Sequence, residues 1–321
     1  MRKIVFIFIA LIAIGQNVCA QGMTATLQSG DNLSVFYGVN AFKEAYEEAK
    51  DGGQITLSAG TFNAPDGSIT KSVKITGVGA YEESANTYFS SLTVSGTDIR
   101  IEGICFQKSL NVSGSKNLIV KRCWVNTLNA NSDFQNAFFV EDVFKYVECI
   151  KNALAFTFSN CTIGSFSGYS NNNDNVGNIT NCVLYSSSML PWAIYRNNIL
   201  GEYHGYGIGS YPLTCAAPSE FYYNALMPRS GFGNTSLDFK DGCIHEGNTT
   251  ISYNDVLNAT ETYPAKPQNV PTGNDGTPIG PNGGTGFSQY PAIPRIISKN
   301  IDGKTNDDGK INVKIEVKAE N

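Results

Sequence analysis

The sequence predicts an all-β fold, a single-stranded right-handed parallel β-helix with an N-terminal capping helix and an irregular C-terminal cover. The first observation is a repeat in which inward apolar residues alternate with polar ones and then change phase at a bend. Because side chains alternate along a strand with period two, the inward phase changes only where the strand is broken. The second observation is that only 16% of the residues are charged while 32 are glycine, which favours β-surfaces joined by tight turns.

One residue in each repeat marks the change of phase, and these residues are Gly77, Gly103, Arg122, Asn160, Asn181 and Asn197. Glycine and asparagine adopt the left-handed conformation of a sharp bend most readily, so Arg122 is the exception. The bend between Arg122 and Asn160 falls on Glu141 or Asp142. With Glu141, successive bends are 26, 19, 19, 19, 21 and 16 residues apart, and such periods indicate a solenoid. An antiparallel sandwich would need hairpin signals every 8 to 12 residues or so, and few are present.

The first 20 residues have the features of a bacterial secretory signal peptide. Arg2 and Lys3 form a basic start, Ile4–Ile14 is apolar, and Val18-Cys19-Ala20 is a small-residue cleavage site. The apolar run is too short to cross a bilayer, which needs about 20 residues, and no later segment is long and apolar enough. We therefore expect a protein without a membrane span that starts at Gln21 and is secreted, periplasmic or at the cell surface.

A short amphipathic helix is predicted near residues 40–50, where apolar residues recur at helical spacing before Gly52-Gly53. Residues 54–62, with the sequence QITLSAGTF, then alternate like a strand and turn at a glycine. This helix, glycine turn and strand resemble the opening of proteins of the pectin-lyase-like right-handed parallel β-helix superfamily. The resemblance implies that the helix covers the open end of the coil, where apolar side chains and unpaired backbone groups would otherwise face water.

We expect residues 21–262 to form the β-helix domain. Beyond Leu200 the repeat loosens, and the segments FYYNALM at Phe221 and ISYNDVL at Ile251 are interpreted as two further rungs. Residues 263–321 are expected to form a Pro- and Gly-rich cover that ends in an amphipathic strand at 311–317, laid along or across the end of the solenoid.

Seven of the eight cysteines follow the predicted leader, an odd number that leaves at least one thiol without an intramolecular partner. Cys123, Cys161 and Cys182 each follow a bend at an equivalent inward position. We therefore expect buried, reduced and unligated thiols that stack in the core. Whether Cys215 and Cys243 form a disulfide is left open.

The resemblance covers the fold over residues 39–257 and does not extend to a known catalytic site. Polygalacturonase-like enzymes carry Asn-Thr-Asp, Asp-Asp, Gly-His-Gly and Arg-Ile-Lys on successive rungs, but here the only Asp-Asp is Asp307-Asp308 and the nearest match to Gly-His-Gly is Tyr203-His204-Gly205. Clustered carboxylates with an arginine base, as in pectate lyases, are also missing. The net charge of −5 and the lack of a basic patch exclude a nucleic-acid partner.

One region, Pro191–Tyr211, is rich in aromatic and hydrogen-bonding side chains, and a second histidine lies near several charged residues beyond it. Such side chains suit sugar rings, which have an apolar face and polar edges. The candidate ligand-binding residues are Trp192, Arg196, Glu202, Tyr203, His204 and His245. The alternative is that these side chains cover the solenoid and bind neighbouring loops. No segment has the spacing of a metal loop, and we expect no cofactor.

Two functions therefore remain open. The first is a secreted β-helix protein that binds a polysaccharide or a cell-surface glycan without catalysis. The second is a divergent polysaccharide lyase or glycoside hydrolase that acts on an acidic polysaccharide. The fold alone does not decide between them, and whether the chain is an enzyme is left open.

Overall fold

The computed structural model describes residues 22–81, 86–132, 134–148, 155–167, 177–189, 193–201, 219–227, 244–251, 264–265, 267–291, 295–301 and 313–318. The predicted signal peptide, residues 1–20, lies outside this part of the chain. No helix of the described residues is long and apolar enough to cross a membrane.

The described chain begins with an antiparallel hairpin of β1 (Thr24–Ser29) and β2 (Asn32–Tyr37), which was not predicted from the sequence. The predicted helix follows as α1 (Ala41–Glu48). Its apolar face is buried, and the ring of Phe42 meets the ring of Phe89 edge to face with centroids 4.9 Å apart. The helix therefore packs directly onto the hydrophobic core.

Ten parallel strands form the body of the first sheet, and they are β3 (Gly53–Leu57), β5 (Val73–Thr76), β7 (Arg100–Glu102), β9 (Ile119–Lys121), β11 (Ala137–Val140), β13 (Phe156–Ser159), β15 (Gly177–Thr180), β17 (Ala193–Arg196), β19 (Glu220–Tyr222) and β21 (Ile244–Glu246). The hairpin extends this sheet, because β1 pairs antiparallel with β3.

Ten further strands form the second sheet, and they are β4 (Gly60–Phe62), β6 (Thr87–Val94), β8 (Cys105–Ser113), β10 (Trp124–Ser132), β12 (Val143–Glu148), β14 (Thr162–Ser167), β16 (Val183–Met189), β18 (Ile199–Gly201), β20 (Ala225–Met227) and β22 (Thr249–Thr250). Strands that follow one another in the chain alternate between the two sheets. The predicted parallel β-solenoid is therefore confirmed, and the antiparallel sandwich is rejected.

The core between the sheets is built from side chains that stack from one coil to the next. Phe139 and Phe158 lie in register on β11 and β13, with ring centroids 4.7 Å apart and planes 17° apart. Tyr195 and Phe221 repeat this arrangement on β17 and β19, at 4.7 Å and 6°. Because the stacked side chains are buried, they hold neighbouring coils in register.

Most of the predicted bends have the expected backbone conformation. Gly103, Asn160, Asn181 and Asn197 have φ angles of 67°, 55°, 53° and 54°. The prediction for Gly77 is wrong, because its φ does not lie in the left-handed region. A Cβ atom at Gly77 would lie 2.4 Å from the carbonyl oxygen of Gly103, so the close approach of the next coil requires glycine there.

The structure also decides the bends that the sequence left uncertain. Arg122 is left-handed at φ 55°, and Glu141 rather than Asp142 forms the next bend at φ 58°. The two bend residues are nearly fully buried, and Arg122 Nε donates to Glu141 Oε2 at 2.6 Å. Tyr223 and Gly247 continue the column of bends, with φ angles of 54° and 64°.

A second column of left-handed residues, which was not predicted, lies at another corner of the coil. Asp98, Asn117 and Asn136 have φ angles of 56°, 53° and 55°. Asn117 Nδ2 donates to Asp98 Oδ1 at 2.8 Å, and Asn136 Nδ2 donates to Asn117 Oδ1 at 3.2 Å. These hydrogen bonds link the outer side chains of three successive coils.

The residue after each bend points into the core and forms a continuous column. Cys123, Cys161 and Cys182 are fully buried with free thiols, as predicted. Ile104 follows the Gly103 bend, and buried polar residues occupy later positions of this column: Asp142 between the first two cysteines, then Asn198 and Asn224. The pair Cys215 and Cys243 lies outside the described residues.

The C-terminal cover lies across the column of bends. Asn160 Nδ2 donates to the carbonyl oxygens of Pro281 and Gly283 at 2.9 and 2.7 Å. Gly280 donates its backbone N–H to the carbonyl oxygen of Asn197 at 2.9 Å. The cover therefore satisfies polar groups that the bends leave outside the two sheets.

Two expectations for the later part of the chain need correction. The rung after the one at Phe221 is formed by β21 and β22, and so it precedes Ile251 rather than starting there. The predicted C-terminal strand is present as β24 (Val313–Lys318), but it pairs antiparallel with β23 (Arg295–Ile301) in a separate two-stranded sheet. Long segments separate these late elements. The spacing of residues in the sequence therefore does not show which of them pair with one another.

Candidate functional site

The structure describes two of the six candidate ligand-binding residues. Arg196 ends β17, and His245 is the middle residue of β21. Trp192, Glu202, Tyr203 and His204 lie outside the described residues.

Arg196 belongs to a row of outward side chains on the first sheet. It is in register with Tyr222 on β19, which is in register with Glu246 on β21. Neighbouring strands of a sheet are about 4.8 Å apart, so these three side chains are direct neighbours. Each of them immediately precedes a bend, at Asn197, Tyr223 and Gly247.

Tyr222 is held by charged groups on two sides. The guanidinium carbon of Arg196 lies 5.2 Å from the centroid of the Tyr222 ring, in a cation–π contact. The hydroxyl of Tyr222 donates to Glu220 Oε2 at 3.0 Å. This hydrogen bond to the Glu220 carboxylate, with a smaller contribution from burial, raises the pKa of Tyr222.

Tyr223 adds a second tyrosine beside this row. Its hydroxyl lies 3.5 Å from Glu246 Oε1, and its ring lies against the backbone of Gly247, where a Cβ atom would be 2.6 Å from two ring carbons. Glycine is therefore required at position 247 both by its φ of 64° and by the tyrosine ring.

The structure does not bring His245 onto the face of Arg196. His245 is in register with Phe221, whose side chain fills the core. Because side chains alternate along a strand, His245 projects toward the inner side of β21 and Glu246 toward the outer side. His245 is nevertheless exposed, because β21 is the outermost strand of the described sheet at this end.

A ladder of two buried asparagines and one half-buried asparagine supports the outer row from inside. Asn224 Oδ1 accepts from the backbone N–H and the Nδ2 of Asn198, both at 3.0 Å. In the same way, Asn248 Oδ1 accepts from the backbone N–H and the Nδ2 of Asn224, both at 2.9 Å. The backbone directly behind Arg196, Tyr222 and Glu246 is thus fixed in its register.

Glu220, Tyr222, Tyr223 and Glu246 were missed as site residues in the sequence. The signal that could have found them is the asparagine after each bend, because Asn198, Asn224 and Asn248 occupy equivalent positions. Alignment on these asparagines places Arg196, Tyr222 and Glu246 in one row, although the loops between them differ in length.

We call Arg196, Glu220, Tyr222, Tyr223 and Glu246 the Arg196–Tyr222 face. It combines two tyrosines, one guanidinium and two carboxylates, all partly or fully exposed. These groups donate and accept hydrogen bonds around aromatic rings, which are the contacts that a polyhydroxylated ring can make. Among the described residues, no group of three or more His, Cys, Asp or Glu could hold a metal ion.

No protein-family model matches the sequence, and no curated protein matches it. Function must therefore be argued from the arrangement of the side chains.

A second charged cluster, Glu102, Lys121, Arg122 and Glu141, differs from the Arg196–Tyr222 face in its burial. Arg122 and Glu141 have side chains that are 8% and 7% exposed, and both form bends. Lys121 Nζ lies 3.3 Å from Glu141 Oε1, and Arg122 Nη1 lies 3.4 Å from Glu102 Oε1. The charges of this cluster are paired with one another, so we assign it to the stability of the bends.

Proposed function

We propose that this chain is a secreted bacterial protein that binds a polysaccharide or a cell-surface glycan without catalysis, through the Arg196–Tyr222 face. In this proposal the solenoid is right-handed and single-stranded, of the pectin-lyase-like type, and residues 1–20 direct secretion. The observation that carries the binding role is the outward row of Arg196, Tyr222 and Glu246 over a hydrogen-bonded core ladder.

The chemistry of the face supports a sugar ligand. The rings of Tyr222 and Tyr223 offer apolar surfaces, and each hydroxyl lies beside a carboxylate. Sugar hydroxyls can donate to these carboxylates and accept from the guanidinium of Arg196. Successive binding groups at the strand spacing of about 4.8 Å suit an extended chain of sugar units.

The internal contacts of the face support binding rather than catalysis. Arg196 lies against the ring of Tyr222, and Glu220 accepts the hydroxyl of the same residue. Groups that hold one another in this way form a preorganised surface, which lowers the entropy cost of binding a ligand.

The alternative proposal is a divergent polysaccharide lyase or glycoside hydrolase acting on an acidic polysaccharide. The observation that favours it is the presence of Glu220 and Glu246 on one face with Arg196, because hydrolases use paired carboxylates. In that case Glu220→Gln and Glu246→Gln would each abolish the formation of products from the polysaccharide.

A glycan array, followed by calorimetric titration of the best ligand, tests the binding proposal. Tyr222→Ala should weaken binding at least tenfold, because it removes the ring that Arg196 and Glu220 hold. The matched control is Tyr146→Ala, since Tyr146 is an exposed tyrosine of the second sheet that Lys145 approaches at 5.3 Å. The Tyr146 variant should bind like the wild type.

The same ligands should be incubated with the protein and assayed for new reducing ends and unsaturated sugars. Binding without products supports the non-catalytic proposal, and products that disappear in Glu220→Gln or Glu246→Gln support the enzyme instead. Equal loss of binding in the Tyr222 and Tyr146 variants would contradict the location of the site.

A further inference from the structure

In the part of the chain that the structure describes, strand β2 forms a free edge of the first sheet. Within the described residues the sheet begins at β2, which pairs only with β1. The backbone N–H of Gly38 donates to Met23 O at 2.7 Å, so position 38 faces β1. Since backbone groups alternate in direction along an antiparallel strand, Leu33, Val35 and Tyr37 point their N–H and C=O groups to the free edge.

The same three residues carry exposed apolar side chains. Leu33, Val35 and Tyr37 are 67%, 44% and 71% exposed. The alternate residues face the helix: Ser34 Oγ donates to Glu48 Oε1 at 2.8 Å, and Phe36 packs against the core. One side of β2 is therefore attached to the molecule, while its other side and its edge are open.

β2 lacks the devices that usually protect a strand edge. Natural edge strands carry charged residues, proline or a bulge that prevents pairing with another chain. Asn32–Tyr37 has the sequence NLSVFY, with no charge and no proline, and it pairs with β1 without a register shift. An unprotected edge with an apolar stripe is a surface suited to another strand.

We propose that β2 pairs antiparallel with β2 of a second copy of this chain, about a two-fold axis at Val35. In this register Val35 faces Val35 of the second copy, and Leu33 faces its Tyr37. The outward N–H and C=O groups of all three residues gain partners, because they form the hydrogen-bonded pairs of the new ladder. The apolar side chains of the two copies share one face of the joined sheet.

The self-complementarity of the strand favours a second copy over other occupants. An isologous contact requires that a surface match itself under the two-fold operation. β2 does so, because its outward residues are apolar at every alternate position and no like charges are brought together. A sugar chain offers no regular backbone ladder and would leave the apolar stripe unmatched.

Sedimentation velocity of the purified chain, from about 1 µM to about 1 mM, tests the proposal, because a contact of one short strand is expected to be weak. The mass should double across this range. Val35→Pro removes only an N–H that points away from β1, a position where an edge strand tolerates proline, and should keep the chain monomeric. Val35→Thr retains the N–H and the β-branch and should dimerise like the wild type.

Hydrogen exchange identifies the edge that is involved. The amides of Leu33, Val35 and Tyr37 should become protected as the concentration rises and lose protection on dilution. A chain that stays monomeric throughout, or a dimer that Val35→Pro leaves intact, overturns the proposal. Protection of these amides in a dilute monomer would also overturn it, because another segment of the same molecule would then cover the edge.

Discussion

The Oδ1 atom of Asp142 accepts a hydrogen bond from the backbone N–H of Cys123 at 2.7 Å, in the middle of the solenoid core. Among the described residues its Oδ2 atom has no hydrogen-bond partner, although the side chain is fully buried. A buried carboxylate without a cationic partner is costly, whereas a protonated carboxyl can donate one hydrogen bond. Asp142 belongs to the column of residues that follow the bends. Its position in this column indicates which atom would accept the hydrogen bond from its protonated carboxyl.

The asparagines of the same column show the contact that Asp142 needs. Asn198 Nδ2 donates to Ile179 O at 2.7 Å, and Asn224 Nδ2 donates to Tyr195 O at 3.1 Å. In both cases the acceptor lies three residues before the column residue of the preceding coil. The equivalent acceptor for Asp142 is the carbonyl of Val120. We therefore expect a protonated Asp142 whose Oδ2–H points to Val120.

Asp142→Asn should stabilise the protein at neutral pH. The amide would keep the hydrogen bond from Cys123 and donate toward Val120 at every pH, whereas the carboxyl must first take up a proton, so we expect a gain of about 1–3 kcal/mol. Chemical denaturation of both proteins at pH 7 measures the difference. Asp142→Leu, which cannot accept the N–H of Cys123, should be less stable than the asparagine variant.

The benefit of Asp142→Asn should depend on pH. Burial raises the pKa of Asp142 well above 3.8, so the folded state holds this proton more tightly than the unfolded state. Its contribution to the free energy of unfolding is therefore complete below pH 3.8 and is lost as the pH rises toward the folded pKa. The groups around Asp142 are the thiols of Cys123 and Cys161, the Tyr81 hydroxyl and the side chains of Glu141 and Lys121.

The difference in unfolding free energy between Asp142→Asn and the wild type should consequently be small in acid and increase as the pH rises above 3.8. Denaturation curves at several pH values provide the measurement. A difference that stays constant across this range would show that Asp142 is already ionised in the fold.

The buried pair Arg122 and Glu141 should respond differently to single and double substitution. Arg122→Gly relieves a left-handed φ of 55° but leaves the carboxylate of Glu141 without its 2.6 Å partner. Removal of one member of a buried ion pair costs about 3–5 kcal/mol, so the single variant should be much less stable. Arg122→Gly combined with Glu141→Asn places two bend-forming residues at these positions and should restore at least the wild-type stability.

The core thiols should be inert in the native protein. Burial raises the pKa of Cys105 to about 12 and raises the pKa values of Cys123 and Cys161 well above their usual range. In a chain with Cys19, Cys149, Cys215 and Cys243 all replaced by serine, a thiol reagent should label the four remaining cysteines, which are buried, only after denaturation. Rapid labelling of the native protein would contradict the described packing.

The sequence predicted the bends where the residue type itself favours them, as at Gly103 and Asn160. Arg122 and Glu141 adopt the same conformation because each stabilises the other, a tertiary effect that neither residue signals alone. Arg196 was chosen from local composition, whereas its neighbours Tyr222 and Glu246 depend on which residues share a row. That register is set by coils of 26 and 24 residues between bends, so the local pattern could not show it.

The core column and the Arg196–Tyr222 face are linked through Asn224. Asn224 follows the Tyr223 bend and connects three coils: its Nδ2 donates to Tyr195 O at 3.1 Å and to Asn248 Oδ1 at 2.9 Å. Asn224→Asp replaces this double donor by an oxygen, which must be protonated to make either contact. The variant should therefore lose about 1–3 kcal/mol of stability at pH 7 and regain much of it in acid.

Asn224→Asp introduces an acid where the column holds an amide, whereas Asp142→Asn replaces an acid by an amide. The two substitutions should therefore change the stability at pH 7 in opposite directions. Since the backbone behind Tyr222 is fixed by Asn224 and Asn248, the variant should also weaken glycan binding more at pH 7 than at low pH. Asn126→Asp serves as the control, because Asn126 is a partly exposed asparagine of the second sheet, and it should change neither property. If Asn224→Asp has the wild-type stability at pH 7, the asparagine ladder does not fix the register of these coils, and the support it gives to the Arg196–Tyr222 face is lost.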